Sequence, residues 1–179
     1  MQTDDILKFW FEEIEPKAWW TASDAFDELI RTRFGDLLSK AGEGELYGWR
    51  ESAPGRLAEI LVLDQFSRNM YRGTPGAFAQ DAIAVVLSQE AVSRGALEAL
   101  GESERAFLLM PLMHSESRVI HAQAEPLFRN HTPANNHRYE VRHKEIIDRF
   151  GRYPHRNDIL GRTSTEDEIE FLKQPGSSF

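Results

Sequence analysis

The chain has 179 residues, of which 41 % are hydrophobic and 11 % aromatic. This composition excludes an intrinsically disordered protein and predicts one globular domain over residues 1–179. No cysteine is present, so disulfides and thiolate chemistry are excluded, and the net charge of −8 argues against general affinity for nucleic acid.

The amino-terminal stretch predicts a cytoplasmic protein. Residues 1–16 are acidic, and they contain neither a basic leader nor the long apolar run that secretion or membrane insertion requires. We therefore expect no signal peptide, no membrane-spanning helix and no membrane partner.

In chain order, apolar residues recur at helical spacing and are interrupted by proline and glycine, a pattern that predicts an all-α fold. Helices are expected to begin near Thr3, Ser23, Pro54 and Thr74, because each of these positions suits the first turn of a helix. The first two helices contain no residue pattern that requires chemistry.

The third helix carries polar residues in an otherwise apolar sequence. Asp64 and Arg68 lie four residues apart, as do Gln65 and Asn69, so each pair occupies one helical face. One interpretation is an ion pair and an amide pair that bridge to the next helix. The other is that these side chains line a polar pocket, because a polar group that leaves water needs a partner.

A further helix is expected from Gly101, and Pro111 interrupts it. Because proline removes a backbone donor and clashes with the preceding turn, this segment is predicted to be kinked there or split near His114 and Ser115. At such a break, His114 and Glu116 would lie beside unsatisfied backbone groups.

Residues 131–136 are rich in polar residues and predict a loop. We expect His121, His131 and His137 to be surface histidines on or near this loop. A last helix is predicted after Thr165, which is suited to cap it.

The segment 136–162 concentrates positive charge, with seven lysines and arginines against four carboxylates. A local positive field in an acidic protein predicts an anionic counterpart, either internal or a ligand. Helical spacing places His143 among apolar residues, and Pro154 restricts the loop that follows, so less entropy is lost when that loop binds a ligand. The polar side chains of this loop are Arg152, His155, Arg156 and Asn157.

Three strings carry a resemblance to a known family. They are LDQFSRNMYRGTPGAFAQD, MPLMHSE and HKEIIDRFGRYPHRNDILGRTSTEDEIEFL. The sequence resembles the bacterial family called domain of unknown function 924 over nearly its whole length, and it departs from the usual pattern at Ser67 and Met113. The resemblance implies a tetratricopeptide-like stack of antiparallel helical hairpins, and it implies no particular activity.

The first functional hypothesis is an enzyme or binding protein with a pocket for a small anionic molecule, a carboxylate or a phosphate. Arginine outnumbers lysine 16 to 5, and its planar guanidinium grips such groups with two hydrogen bonds. The candidate catalytic residues, if acid–base chemistry occurs, are His155, His143 and Glu116. The candidate ligand-binding residues are Asp64, Arg68, Asn69, His114, Arg152, Arg156 and Asn157.

Two alternatives stay open. A tetratricopeptide-like protein can be a scaffold that binds peptides or proteins on a concave surface. The same polar residues can also form a structural network between helices. We expect no metal site, because His114, Glu116, His143 and His155 lack a recognised ligand spacing and arginines surround them. No cofactor is predicted.

Overall fold

The structure is a computed structural model that describes residues 1–178, and within them it contains helices and no β-strand. The predicted all-α fold is therefore confirmed. Within the same residues, no helix combines the length and the apolar character needed to cross a bilayer. The α-helices are α1 (Thr3–Lys8), α2 (Asp24–Gly42), α3 (Ala53–Leu61), α4 (Ser67–Met70), α5 (Asp81–Ser93), α6 (Glu102–His114), α7 (Arg118–His131), α8 (Ala134–Phe150) and α9 (Glu166–Leu172).

A turn of π-helix, Val62–Phe66, joins α3 to α4. Its flanking residues keep right-handed helical dihedral angles, so residues 53–70 form one continuous helix, as the apolar pattern predicts. The π turn contains Asp64 and Gln65, both of which are buried. Such turns are rare and occur frequently at functional sites.

The main apolar core is built from residues of α1 to α6, with Ala124 and Phe128 of α7. Aromatic rings dominate it around Phe66, whose centroid lies 4.8 Å from that of Phe34 and 5.6 Å from that of Trp10. These rings and the aliphatic face of α3 are fully buried, so α3 is fixed on several sides. The core thereby gives the π turn a rigid support.

A second, smaller apolar cluster lies at the end of α8. It contains Ile146, Ile147 and Tyr153, with Phe150 and Phe171 packed against it. Helices α6, α7 and α8 pack in succession, so this cluster adjoins the end of α6. The polar residues singled out in the sequence lie mainly where these helices and the loop after α8 meet.

Helix α6 runs through Pro111 and ends at His114, and α7 begins at Arg118. Of the two predicted outcomes, a kink at the proline or a split after it, the split at His114–Ser115 is therefore the one observed. The tetratricopeptide-like stacking of hairpins and the division into one domain stay predictions.

Three local predictions are wrong. Residues 131–136 are largely helical, because α7 continues to His131 and α8 begins at Ala134. Helix α5 begins at Asp81, and Thr74 precedes only a short 3₁₀ turn. His121 is completely buried and not on the surface, because its ring lies between α7 and α8, where it contacts a carboxylate.

Candidate functional site

The centre of the candidate site is a hydrogen bond between Asp64 and His114. The π turn places the Asp64 carboxylate, which is fully buried, against the last residue of α6, and Oδ1 lies 2.7 Å from Nδ1 of the ring. Arg68 Nη1 contacts the same oxygen at 2.9 Å, and the Gln65 amide donates to Oδ2. Each carboxylate oxygen of Asp64 is therefore satisfied.

Electrostatics fix the protonation of this pair. Burial alone would raise the pKa of Asp64, but the charge of Arg68 and the contact with His114 outweigh it and hold that pKa well below its usual range. Burial and the charge of Arg68 lower the pKa of His114, against the attraction of Asp64. At neutral pH the pair is thus a carboxylate and a neutral imidazole.

The hydrogen bond selects the tautomer of His114. An ionised carboxylate only accepts hydrogen bonds, so Nδ1 carries the hydrogen and the lone pair lies on Nε2. Nε2 makes no hydrogen bond within residues 1–178, and the side chain is 16 % exposed. The arrangement therefore presents an oriented proton acceptor.

An alternating chain of charges extends from this pair. Arg68 donates two hydrogen bonds to Asp81 at the start of α5, at 2.9 and 3.0 Å, and Arg156 contacts the same carboxylate at 3.3 Å. Arg156 also donates to the backbone oxygen of His114 at 3.0 Å and so satisfies a carbonyl at the end of α6. Asp64, Arg68, His114 and Arg156, four of the candidate ligand-binding residues, thus lie together, and Asp81 joins them.

Tyr153 is the ring around which the loop after α8 is arranged. It is fully buried, and the Arg156 guanidinium lies 4.6 Å above it. The rings of His143 and His155 lie 5.7 and 5.6 Å from its centroid. Apolar spacing does not distinguish this tyrosine from an ordinary core residue, so no functional signal for it is visible in the sequence.

Burial lowers the pKa values of both predicted proton carriers. That of His143 falls to about 3, although Nδ1 is hydrogen-bonded to the Tyr139 carbonyl. That of His155 falls to about 4, through burial and the charge of Arg156. His155 is the more exposed of the two, in agreement with its predicted place in a loop.

Glu116 has a structural set of partners. It accepts two hydrogen bonds from Arg162, at 2.6 and 2.9 Å, and one from the backbone N–H of Tyr153 at 2.7 Å. Burial would raise the pKa of Glu116, but the bonds from Arg162 and the backbone lower it. An ionised, fully engaged carboxylate is not suited to donate a proton.

The remaining predicted ligand-binding residues face other partners. Arg152 forms a two-pronged pair with Glu168, at 2.6 and 2.7 Å, and Asn157 donates to the same carboxylate at 3.3 Å. Asn69 donates to Asp27 at 2.8 Å. Arg152 and Asn157 therefore anchor α9, and Asn69 anchors α2, which are contacts of the structural network that the sequence left open as an alternative.

Two grooves of the surface lie away from His114. One, of about 220 Å³, is lined on α8 and α9 by residues that include Arg149 and Phe171. Another, of about 290 Å³, lies beside Phe26. Over residues 1–178, no group of three or more histidine, aspartate or glutamate side chains is arranged to hold a metal ion.

The fold and this site define an all-helical protein in which a π turn presents Asp64 to a histidine at the end of α6. A family model described as a bacterial protein of unknown function, DUF924, matches residues 6–176, so the chain belongs to this family. It is also similar to the solved structure of a protein of unknown function from Agrobacterium tumefaciens, with a TM-score of 0.91 and 37 % identity over 96 % of each chain. No curated protein shows significant similarity.

Proposed function

We propose that this chain binds a small anionic molecule, a carboxylate or a phosphate, beside His114, and that His114 accepts a proton there. The observation that carries the proposal is the hydrogen bond from His114 to Asp64, which leaves the lone pair of Nε2 without an intramolecular partner in the described chain. An oriented, neutral imidazole is the group that general-base catalysis needs near neutral pH.

The anionic character of the ligand follows from Arg156. Arg156 as a residue is only 6 % exposed, and its Nε–H has no acceptor within residues 1–178. A buried donor without an acceptor is rare and costly, and an oxyanion would satisfy it. Asp81 and the His114 carbonyl hold the guanidinium in place, so little entropy would be lost on binding.

The proposal transfers the catalytic role from the residues that the sequence favours. His143 and His155 flank Tyr153, and Glu116 is bound to Arg162, so these three are better placed to support the site than to exchange protons with a ligand. His114 has both an orienting carboxylate and partial exposure. That combination favours it as the base.

A thermal-shift experiment tests this proposal. The unfolding temperature is measured against a panel of small carboxylates and phosphates for the wild type, for His114→Gln and for His137→Gln. His137 is a matched control, because it also contacts a carboxylate, Glu125 at 2.8 Å, but lies outside the cluster. We expect at least one compound to stabilise the wild type and the control but not His114→Gln. A panel without effect, or equal shifts in all three proteins, would contradict the proposal.

An exposed apolar surface supports the scaffold as a second candidate function. Val86 of α5 and Val119 of α7 are 60 % and 67 % exposed, on two helices that a hydrogen bond between Gln89 and Gln123 connects. Exposed apolar patches often mark protein contacts. If the scaffold function holds, Val86→Asp with Val119→Asp should abolish binding to peptides selected from a displayed library. His114→Gln should leave that binding intact. If the double aspartate variant still binds the peptides and His114→Gln does not, this surface is excluded as the binding site.

A further inference from the structure

Behind the candidate site, α7 and α8 meet through two ionisable side chains that are both completely buried. Nδ1 of His121 lies 2.8 Å from Oε1 of Glu140. The other ring nitrogen, Nε2, lies 2.9 Å from the backbone oxygen of Ser115 and 3.1 Å from the hydroxyl oxygen of Tyr153. Oxygen atoms therefore face both nitrogens of this ring.

These contacts fix one ring hydrogen. The carbonyl oxygen of Ser115 can only accept, so Nε2 of His121 carries a hydrogen. Tyr153 donates its hydroxyl hydrogen to the backbone oxygen of Met113 at 2.5 Å, which leaves its own oxygen free to accept from Nε2. The neutral ring thus has its lone pair on Nδ1, facing Glu140.

A second hydrogen must lie between Nδ1 and Glu140, because two lone pairs at 2.8 Å would repel each other. It resides either on the ring, as an imidazolium beside a carboxylate, or on the carboxyl group, as a neutral pair. Burial raises the pKa of Glu140, against the hydrogen bond from His121. Oε2 of Glu140 has no hydrogen bond within residues 1–178, which favours the neutral pair, since an unpaired buried charge is costly.

We propose that Glu140 and His121 keep one shared proton throughout the neutral pH range and act as positioning residues for the candidate site. They act through Tyr153, whose hydroxyl contacts His121 and whose ring carries Arg156 at 4.6 Å. The shared proton stands independently of the proposed function, because it can be counted without any ligand, and only the positioning role rests on that function.

Two other charged groups around the pair act on the pKa of Glu140 in opposite directions. On α8, Lys144 stabilises the carboxylate form of Glu140, whereas Glu125 on α7 disfavours it. His143, on α8, is kept neutral by burial. None of these groups replaces the hydrogen that the contact between His121 and Glu140 requires.

The test counts protons by comparing the wild type with Glu140→Gln. The glutamine amide can donate to Nδ1 as the protonated carboxyl does, but it cannot release a proton. Above about pH 5.5 the unfolded chains bind nearly equal numbers of protons, whereas the folded wild type binds one more. The ratio of the two unfolding constants should therefore change about tenfold per pH unit, or about a thousandfold between pH 5.5 and 8.5, with the wild type losing stability relative to the variant as the pH rises.

If the ratio of unfolding constants for wild type and Glu140→Gln changes thirtyfold or more over this pH range, the shared proton is supported. A smaller change in that ratio overturns it. The matched control is Glu125→Gln, which removes the other carboxylate–histidine contact between the same helices, at His137, where both side chains are 25 % exposed. Solvent screening should limit the change in the ratio of unfolding constants, wild type against Glu125→Gln, to a few-fold over the same pH range. Glu140→Ala, which cannot donate to Nδ1, should be less stable than Glu140→Gln at every pH.

If Glu140→Gln does not fold, the nitrogen resonances of His121 in the wild type decide the question. We expect Nε2 to carry a hydrogen and the ring signals to stay unchanged between pH 5.5 and 8.5. A ring that titrates within this range, or an Nε2 without hydrogen, would overturn the proposal.

Discussion

Tyr153 donates its hydroxyl hydrogen to the backbone oxygen of Met113, over a distance of 2.5 Å. This bond ties the loop after α8 to the last turn of α6, although the two residues lie 40 positions apart. Arg156 packs on the Tyr153 ring. The bond from Tyr153 to Met113 therefore also sets where the Arg156 guanidinium meets Asp81 and the end of α6. The candidate site therefore depends on a buried tyrosine as much as on charged residues.

Removal of the Asp64 carboxylate should destabilise the protein strongly. Asp64→Ala leaves Arg68 and the ring of His114 without their buried partner, and breaking such a pair typically costs about 3–5 kcal/mol. The measurement is urea denaturation at pH 7. Asp148→Ala is the control, because its ion pair with Lys144 is exposed and should cost less than about 1 kcal/mol. Similar losses in both variants would place Asp64 in a weak surface pair.

Arg152 and Arg156, the two arginines of the loop after α8, should have different functions: Arg152 should hold α9 in place, and Arg156 should bind the anionic ligand. Arg152→Gln should loosen α9, because Arg152 holds Glu168 with two hydrogen bonds and lowers the pKa of that carboxyl to about 2. Hydrogen exchange of the α9 amides should therefore accelerate, while stabilisation by any compound found in the anion panel stays as in the wild type. Arg156→Lys should lose the stabilisation by that compound and keep the wild-type hydrogen exchange of α9, since lysine keeps the charge but lacks the Nε donor. Loss of ligand stabilisation in Arg152→Gln alone would contradict this assignment.

The buried ring of His143 should make stability depend on acid pH. Its folded-state pKa is lowered to about 3, so its contribution is complete above the unfolded-state pKa of about 6.5 and is lost as the pH falls toward 3. Relative to His143→Gln, the wild type should lose about 2 kcal/mol between pH 7 and pH 5. Denaturant titrations at the two pH values give this difference directly. A difference that does not change with pH would show that the ring is accessible to protons when folded.

Much of the helical pattern could be predicted, because caps, prolines and apolar stripes act locally. The continuous helix around Asp64 and the break after His114 follow from such signals. The boundaries within residues 131–136 could not, because the polar composition predicts a loop over all six residues, whereas α7 and α8 leave only Thr132 and Pro133 between them. Polar composition therefore did not separate this short break from the helix ends on either side.

The candidate site was predicted only in part, because spacing along the chain shows contacts within one helix but not contacts between helices. Asp64 and Arg68 are one helical turn apart, so their contact is visible in the sequence. The pairing of His121 with Glu140 depends on how α7 packs on α8, which spacing along the chain does not specify. The π turn also has no signal in apolar periodicity, yet it directs Asp64 toward α6.

The most direct test of the proposed base is the tautomer of His114 at pH 7, read from long-range proton–nitrogen NMR correlations of its ring. Burial and Arg68 keep the pKa of this ring low, and the Asp64 carboxylate orients it, so we predict a neutral imidazole with hydrogen on Nδ1 and none on Nε2. A hydrogen on Nε2, in either a neutral or a doubly protonated ring, would contradict the account, because His114 would then have no lone pair with which to accept a proton.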